Sequence, residues 1–264
     1  MKALRLRYDA AAFWKEYWQK VDVDPPEFID LDIYPIYPTI KYVKKTDRIL
    51  ECGFGGGRVV RHLVNHEFAG VVGVEYDFGA AARLRAAQPA PLSVADVRRL
   101  PFANGTFDVS MAFGVVSGLQ HDISPAITEL GRVTRPGGHV IVSVMVDNVA
   151  RRLQLLVNRV SRAARNHPLS FYAWMDTIDG WQDYLRTFGL DPIERSLMTS
   201  RYNIYYWSPL LRDRRKKFDH KLARVKDSEF PLNRAGEWIH RMTTVWCPSA
   251  LAGAVLFVCR KRAG

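Results

Sequence analysis

The sequence predicts an α/β fold in which a mainly parallel sheet carries helices on both faces, and three observations support that reading. From Lys45 to Val146 apolar runs of about four to eight residues alternate with helical stretches, the pattern of successive βαβ units. The segment ILECGFGGGRVV, Ile49 to Val60, has the layout of a strand that ends on an acid and passes through glycines into a helix. A late apolar run, Ala252 to Arg260 (AGAVLFVCR), supplies a further strand.

Residues 1–45 are expected to form an arm ahead of a single domain that occupies 46–264. Phe13, Trp14, Tyr17 and Trp18 fall at helical spacing, and IYPIYP (Ile33 to Pro38) then suits an extended crossing. Such an arm either docks on the core or forms part of a lid. Ile49 and Leu50 end the first buried strand, and Gly53, Gly55, Gly56 and Gly57 form a tight loop before a helix opens over Arg58 to Leu63. A side chain in that loop would block positive φ and keep backbone N–H groups from closing on a ligand. Val71 to Glu75 (VVGVE) is a second strand ending in an acid, Gly79 to Ala87 a helix, and Ala95-Asp96-Val97 follows a third apolar run. A fourth strand ends in Met111, Ala112, Phe113 and Gly114, and a helix over Pro125 to Thr134 precedes a fifth strand that runs to Val146. Two insertions are expected, at about 148–175 and 199–249. The first begins with a basic amphipathic helix, Asn148 to Arg165, whose apolar face is Leu153, Leu156, Val157 and Val160. Thr177 to Phe188 is a helix stopped by Gly189. The second insertion carries Tyr202, Tyr205, Tyr206, Trp207, Trp238 and Trp246.

Composition narrows the function. At 264 residues the chain can bury a full core, and it contains no apolar run of membrane-spanning length and no signal-peptide pattern, so a cytoplasmic location is expected. Three cysteines, at 52, 247 and 259, give neither a disulfide framework nor a C-x-x-C metal spacing and read as packed thiols. A net charge of +11 raises nucleic acid or an anionic membrane as partners. Its distribution matters more, with Arg151, Arg152, Arg159, Arg162 and Arg165 on one helix and a second basic run from Arg212 to Lys226. The plain alternative is a solvated basic face.

The glycine loop is not the nicotinamide fingerprint G-x-G-x-x-G, because Arg58 and Val60 stand where its last glycine would be. The pattern is instead acid-x-Gly-x-Gly-x-Gly, and with VVGVE, Ala95-Asp96-Val97, LPFANGTFD (Leu100 to Asp108) and RVTRPGG (Arg132 to Gly138) following in order, the chain resembles the class I S-adenosylmethionine (SAM) dependent methyltransferases. The resemblance covers about residues 46–146 and is nearest the small-molecule group that includes quinone and sterol methylases. It implies a Rossmann-like, three-layer α/β/α build whose seven-stranded sheet has an antiparallel seventh strand. It also implies SAM as cofactor and S-adenosylhomocysteine as product. Residues Glu51, Gly53, Phe54, Gly55 and Gly57 would surround the ligand, with Glu75 taking both ribose hydroxyls and Tyr76 beside it. Asp96 would accept the adenine amino group, the Val97 N–H would meet a ring nitrogen, and Phe113 would close the end of the fourth strand. Ligand belongs outside the carboxyl ends of the strands, where the sheet order reverses. One departure is that Phe54 replaces the family's frequent cysteine between the first two glycines, which would alter packing over the methionine end.

Transfer from a sulfonium is an in-line displacement, so holding the acceptor against the methyl carbon supplies most of the catalysis. A base matters for hydroxyl or activated carbon acceptors. His121, in GVVSGLQHD (Gly114 to Asp122), is the candidate; its alternative roles are to bond a loop or cap the next helix. Asp147-Asn148 is similar to the pair of the metal-dependent catechol-type enzymes, but the strand-four aspartate of that site is absent, so no metal is expected. Asp147 would then orient substrate or start the next helix. Trp14, Tyr202, Tyr205, Tyr206 and Trp207 are expected to wall a pocket for a small or lipid-linked acceptor methylated at oxygen. Nucleic acid is disfavoured: FGVV replaces the Pro-Pro-aromatic signature of amino-directed base methylases, and Cys247 in WCPSA is misplaced for cytosine-C5 chemistry. An RNA ribose methyltransferase and a SAM-binding regulator without turnover stand as alternatives. An anionic membrane surface suits the Arg151 to Arg165 helix. No signal for oligomeric state is present.

Overall fold

The segment Arg48–Cys52 is buried at four of its five positions, as a strand covered on both faces must be. The computed structural model describes residues 1–7, 41–149, 151–152, 155, 169–198, 200–216 and 230–263. Among these, the chain runs through β1 (Lys2–Arg7), β2 (Arg48–Cys52), α1 (Arg58–Asn65), β3 (Gly70–Glu75), α2 (Phe78–Ala87), β4 (Leu92–Val94) and β5 (Phe107–Phe113). It continues through α3 (Ser124–Val133), β6 (Thr134–Val146), β7 (Leu169–Asp176), α4 (Ile178–Thr187), β8 (Leu190–Met198), α5 (Ser200–Trp207), α6 (Arg234–Trp246), the single turn α7 (Pro248–Leu251) and β9 (Ala254–Lys261).

The main sheet has the order β4-β3-β2-β5-β6-β9-β8, parallel throughout except for β9, which is antiparallel to both its neighbours. The seventh strand expected from AGAVLFVCR is therefore present and antiparallel, beginning at Ala254 rather than Ala252. Side chains alternate between two cores. One face packs Leu50, Val142 and Phe257 against Ile127 and Leu130 of α3 and Trp181 of α4. The other packs Ile49, Ile141 and Leu256 against Val59 and Leu63 of α1 and Leu84 of α2. Three layers result.

Local chemistry explains the boundaries. The Asp77 carboxylate accepts from the Ala80 N–H at 2.7 Å and Thr177 Oγ from the Gly180 N–H at 3.0 Å, which caps α2 and α4. Gly189, at φ 70°, ends α4 in the left-handed region as expected. The RPGG stretch forms a bulge inside β6: Thr134 stands opposite Phe107, and His139 opposite Val109.

Two features differ from the sequence reading. Residues 2–7 of the arm join the sheet, because β1 pairs antiparallel with β7, and β7 continues parallel to Met145 and Val146 at the end of β6. Burial of Leu4 opposite Ala173 drives that pairing. Of the cysteines, Cys52 and Cys259 are packed, and burial pushes the Cys259 thiol up to about 12, but Cys247 is exposed, so it is corrected from a packed thiol to a surface one. No helix among the described residues is long and apolar enough to cross a membrane.

Candidate active site

Parallel pairing brings the acids that the sequence singles out to one edge. Glu51 lies opposite Gly73 on β3, Glu75 lies opposite Val94 on β4, and Asp96 follows two residues later. The loop after β2 bends through Gly53, Gly55 and Gly57, all at positive φ (73°, 54° and 81°). Space adds to the requirement, since a Cβ at Gly53 would collide with Val115 and one at Gly57 with Leu84. Buried Glu51 accepts from the Val60 N–H at 2.9 Å and so fixes the first turn of α1 to the end of β2.

Glu75 organises the loop. Its Oε2 accepts from the Gly55 N–H at 2.8 Å, and its Oε1 from the N–H groups of Tyr76 and Asp77 at 2.7 and 3.2 Å. A carboxylate offers about four lone-pair sites, so three such bonds leave it able to accept from a ligand hydroxyl. Next to it Tyr76 is 74% exposed, a ring face open to a flat ligand. Asp96 is held by Arg98, whose Nε lies 3.0 and 3.1 Å from the two carboxylate oxygens while Nη2 lies 2.7 Å from Oδ2. That guanidinium holds the Asp96 carboxyl below the usual carboxylate range. The sequence reading overlooked Arg98, although the Asp-x-Arg spacing was its signal. Val97 is buried, so the backbone is what it can present to a ligand. Together a fixed acceptor, an exposed ring, a second acceptor and a glycine loop fit a ligand with a ribose and a base.

Phe54 stands between Gly53 and Gly55 in this loop. Its ring is buried in the core on the α1 and α2 side, against the bare backbone of Gly73. Its backbone forms part of the loop, with the carbonyl accepting from the Gly57 N–H at 2.8 Å. Gly73 leaves the space that this ring fills, and any Cβ there would meet Phe54 Cδ1 at 2.8 Å.

Beyond β5, half-buried Phe113 leads to Gly114, whose N–H bonds Ser143 Oγ at 2.8 Å. Val115 then lies over Gly53, and the Leu119 carbonyl accepts from the Trp174 indole N–H of β7 at 3.1 Å. His121 follows, exposed and at φ 70°, a strained value for a residue with a Cβ. The helix start bonds to Asp122 rather than His121, through the Ser124 N–H at 2.9 Å. A cavity of about 360 Å³ is lined by Met1, His121, Asp122, Ile123 and Trp174.

Asp147 is placed differently from the expectation that it orients substrate or starts the next helix. Its buried carboxylate accepts from Arg152 at 2.9 and 3.0 Å and from Lys2 at 3.3 Å, and the Arg152 bonds hold it below the usual carboxylate range. Asn148 starts the helix instead, with Oδ1 accepting from the Arg151 N–H at 2.9 Å. Among the described residues no group of three or more His, Cys, Asp and Glu is placed to hold a metal ion. Tyr205 is likewise corrected as a pocket wall. It is buried in a third, small core with Ile204, Phe230, Leu232 and Leu251, its ring 5.4 Å from Phe230 and 4.5 Å from the Arg212 guanidinium. Tyr202, Tyr206 and Trp207 belong to α5, but their side chains lie outside the described residues, as do Trp14 and the proposed apolar face from Leu153 to Val160.

Comparison with known proteins agrees with this geometry. The family model described as a methyltransferase domain matches residues 50–142. A demethylmenaquinone methyltransferase of Mycolicibacterium paratuberculosis is 30% identical over 162 residues, 54% of this chain and 69% of that protein. Another, from Mycobacterium marinum, is 35% identical over 97 residues, 33% of this chain and 41% of that protein. The solved structure of a SAM-dependent methyltransferase from Methanosarcina mazei shares the fold, with a TM-score of 0.57 at 15% identity over 89% of this chain and 100% of that one. Strand order, loop and relatives converge, and the chain belongs to the class I SAM-dependent methyltransferases and is an enzyme of that family.

Proposed function

We propose that the enzyme methylates a hydroxyl oxygen of a small or lipid-linked metabolite seated in the cavity beside His121. The observation that carries this reading is that cavity, which is of ligand size and lined by apolar Met1, Ile123 and Trp174 with His121 and Asp122 as its polar groups. Its residues His121, Asp122 and Ile123 follow β5 in the same connecting segment as Val115, which covers Gly53, and this supports a site shared with the glycine loop. Bound SAM supplies an electrophilic methyl carbon on a sulfonium.

The protein's own residues would then do four things. Glu75 and Asp96 would orient ribose and adenine, the Gly53 to Gly57 loop would approach the ligand through backbone alone, and Trp174 would fix the acceptor wall through its bond to Leu119. A ring nitrogen of His121 would take the hydroxyl proton as the acceptor oxygen bonds the methyl carbon and the carbon–sulfur bond breaks. The relatives' name, demethylmenaquinone methyltransferase, supports a lipid-linked acceptor and favours a second reading, an activated ring carbon. That carbon must also lose a proton.

Labelled methyl transfer from SAM into a host extract, separated into lipid, small polar, RNA and protein fractions, tests the acceptor class. Label in lipid or small polar material with an O-methyl product is expected, a C-methyl product would select the second reading, and label in RNA or protein would overturn both. His121→Asn keeps a residue that tolerates positive φ. Loss of a general base should lower kcat by about a hundredfold or more while leaving SAM affinity unchanged. Unaltered turnover would remove His121 from the chemistry.

A further inference from the structure

We infer that the outward face of α6 docks the protein on an anionic lipid surface. Helical spacing places Trp238, Met242 and Val245 on one side of this helix, with Trp246 beside them, and Trp238, Val245 and Trp246 are 63%, 73% and 75% exposed. The opposite side is spent on the fold: Gly236 is buried against the Leu211 backbone, and Ile239 packs on the small third core. An apolar stripe of this length with two open tryptophans is more than scattered surface exposure.

The charges beside the stripe identify the occupant. Arg234 and Arg241 are exposed along its margin and form no ion pair among the described residues. The one acid of the helix, Glu237, is neutralised by Arg201, whose Nη1 and Nη2 lie 2.7 and 2.6 Å from its two oxygens. Arg214, Arg215 and Lys216 are exposed in the segment that leads away from Leu211, which itself accepts from the Asn233 N–H at the start of the helix. A basic border around an apolar, tryptophan-bearing stripe complements acidic headgroups above an acyl boundary, where tryptophan is favoured.

The face is also joined to the active edge. Asn148, at the end of β6, donates to the carbonyls of Ser249 and Ala252, so the turn that follows α6 is tied to the strand end beside the site. Docking through α6 would hold that edge near a bilayer. This rests on the lipid-linked end of the proposed acceptor range, and it gives such an acceptor a short path.

Flotation with vesicles of phosphatidylcholine alone, and of phosphatidylcholine mixed with phosphatidylglycerol, tests the inference on the full chain. Binding to the anionic vesicles and not to the neutral ones is expected. Trp238→Ser with Trp246→Ser should abolish it, and Arg234→Gln with Arg241→Gln should weaken it roughly tenfold or more. All four side chains are exposed, so thermal melts should match those of the parent and show that the fold survives. No flotation, equal flotation with both vesicles, or flotation untouched by the tryptophan pair overturns the inference. So does a concentration-dependent dimer that the tryptophan pair abolishes, which would give the face to a second copy. Vesicle binding is read without turnover, so a water-soluble acceptor in the labelled-methyl assay would overturn the acceptor class and leave the docking result standing.

Discussion

Glu75 shows how one carboxylate can shape a loop and keep a lone pair for a further donor. It holds the Gly55, Tyr76 and Asp77 N–H groups, and with them the shape of the turn that a ribose would meet. Loss of its bonds to a ligand should cost about 1.5 to 3 kcal/mol each at most. Calorimetry on Glu75→Ala should therefore show SAM affinity down at least tenfold by rough estimate. Glu75→Gln, which keeps one acceptor oxygen for the loop, should fall between the two. Unchanged affinity in a folded Glu75→Ala would exclude the residue from the site. Asp96 differs in kind, because Arg98 already occupies it; an adenine amino group bound there would share the carboxylate with a guanidinium.

At the scale of elements, the end of β6 is a junction. Asp147 joins Lys2 of β1 to Arg152, while Asn148 caps the following turn and bonds the stretch before β9. Asn148→Ala removes a cap and leaves two carbonyls unpaired, so urea unfolding should show a loss of about 1 to 3 kcal/mol. Asp147 ties stability to pH. Its folded value is depressed, so its contribution is fully present above the ordinary carboxylate value of 3.8 and is lost as pH falls through the lower folded value. Asp147→Asn should thus melt below the parent at neutral pH, and the two melting temperatures should converge in acid. A gap that persisted there would mean that the carboxylate's charge is not what the junction uses.

For the whole molecule, the topological reversal between β2 and β5 sets the site. Crossovers leave on opposite faces there, and the loops that follow β2 and β5 meet as Val115 lies on Gly53. Strand β5 ends in Met111, Ala112 and Phe113, with no carboxylate for a divalent cation, and Asp147 is engaged by two cations already. Turnover should accordingly be unchanged by EDTA and by added Mg²⁺. A rate that collapsed in chelator and returned with Mg²⁺ would make Asp147 and Asn148 metal ligands.

The parallel core and the edge acids were legible in the sequence because each depends on a local pattern, whereas the antiparallel direction of the last strand came from the family resemblance and not from its apolar run. Continuous apolar runs require burial on both faces, and glycines at 53, 55 and 57 meet a backbone requirement that few other residues satisfy. Tertiary structure decided what distant segments do to one another. That Phe54 turns into the core follows from the missing side chain at Gly73 on the neighbouring strand. The contact of Lys2 with Asp147 depends on a pairing between residues 2–7 and 169–175 that no short window contains. Likewise the burial of Tyr205 and the exposure of Trp238 and Trp246, three aromatics of one stretch, were settled by which helix faces found a partner. Periodicity fixes a residue's direction on its own element, and only the assembled fold decides what it meets there.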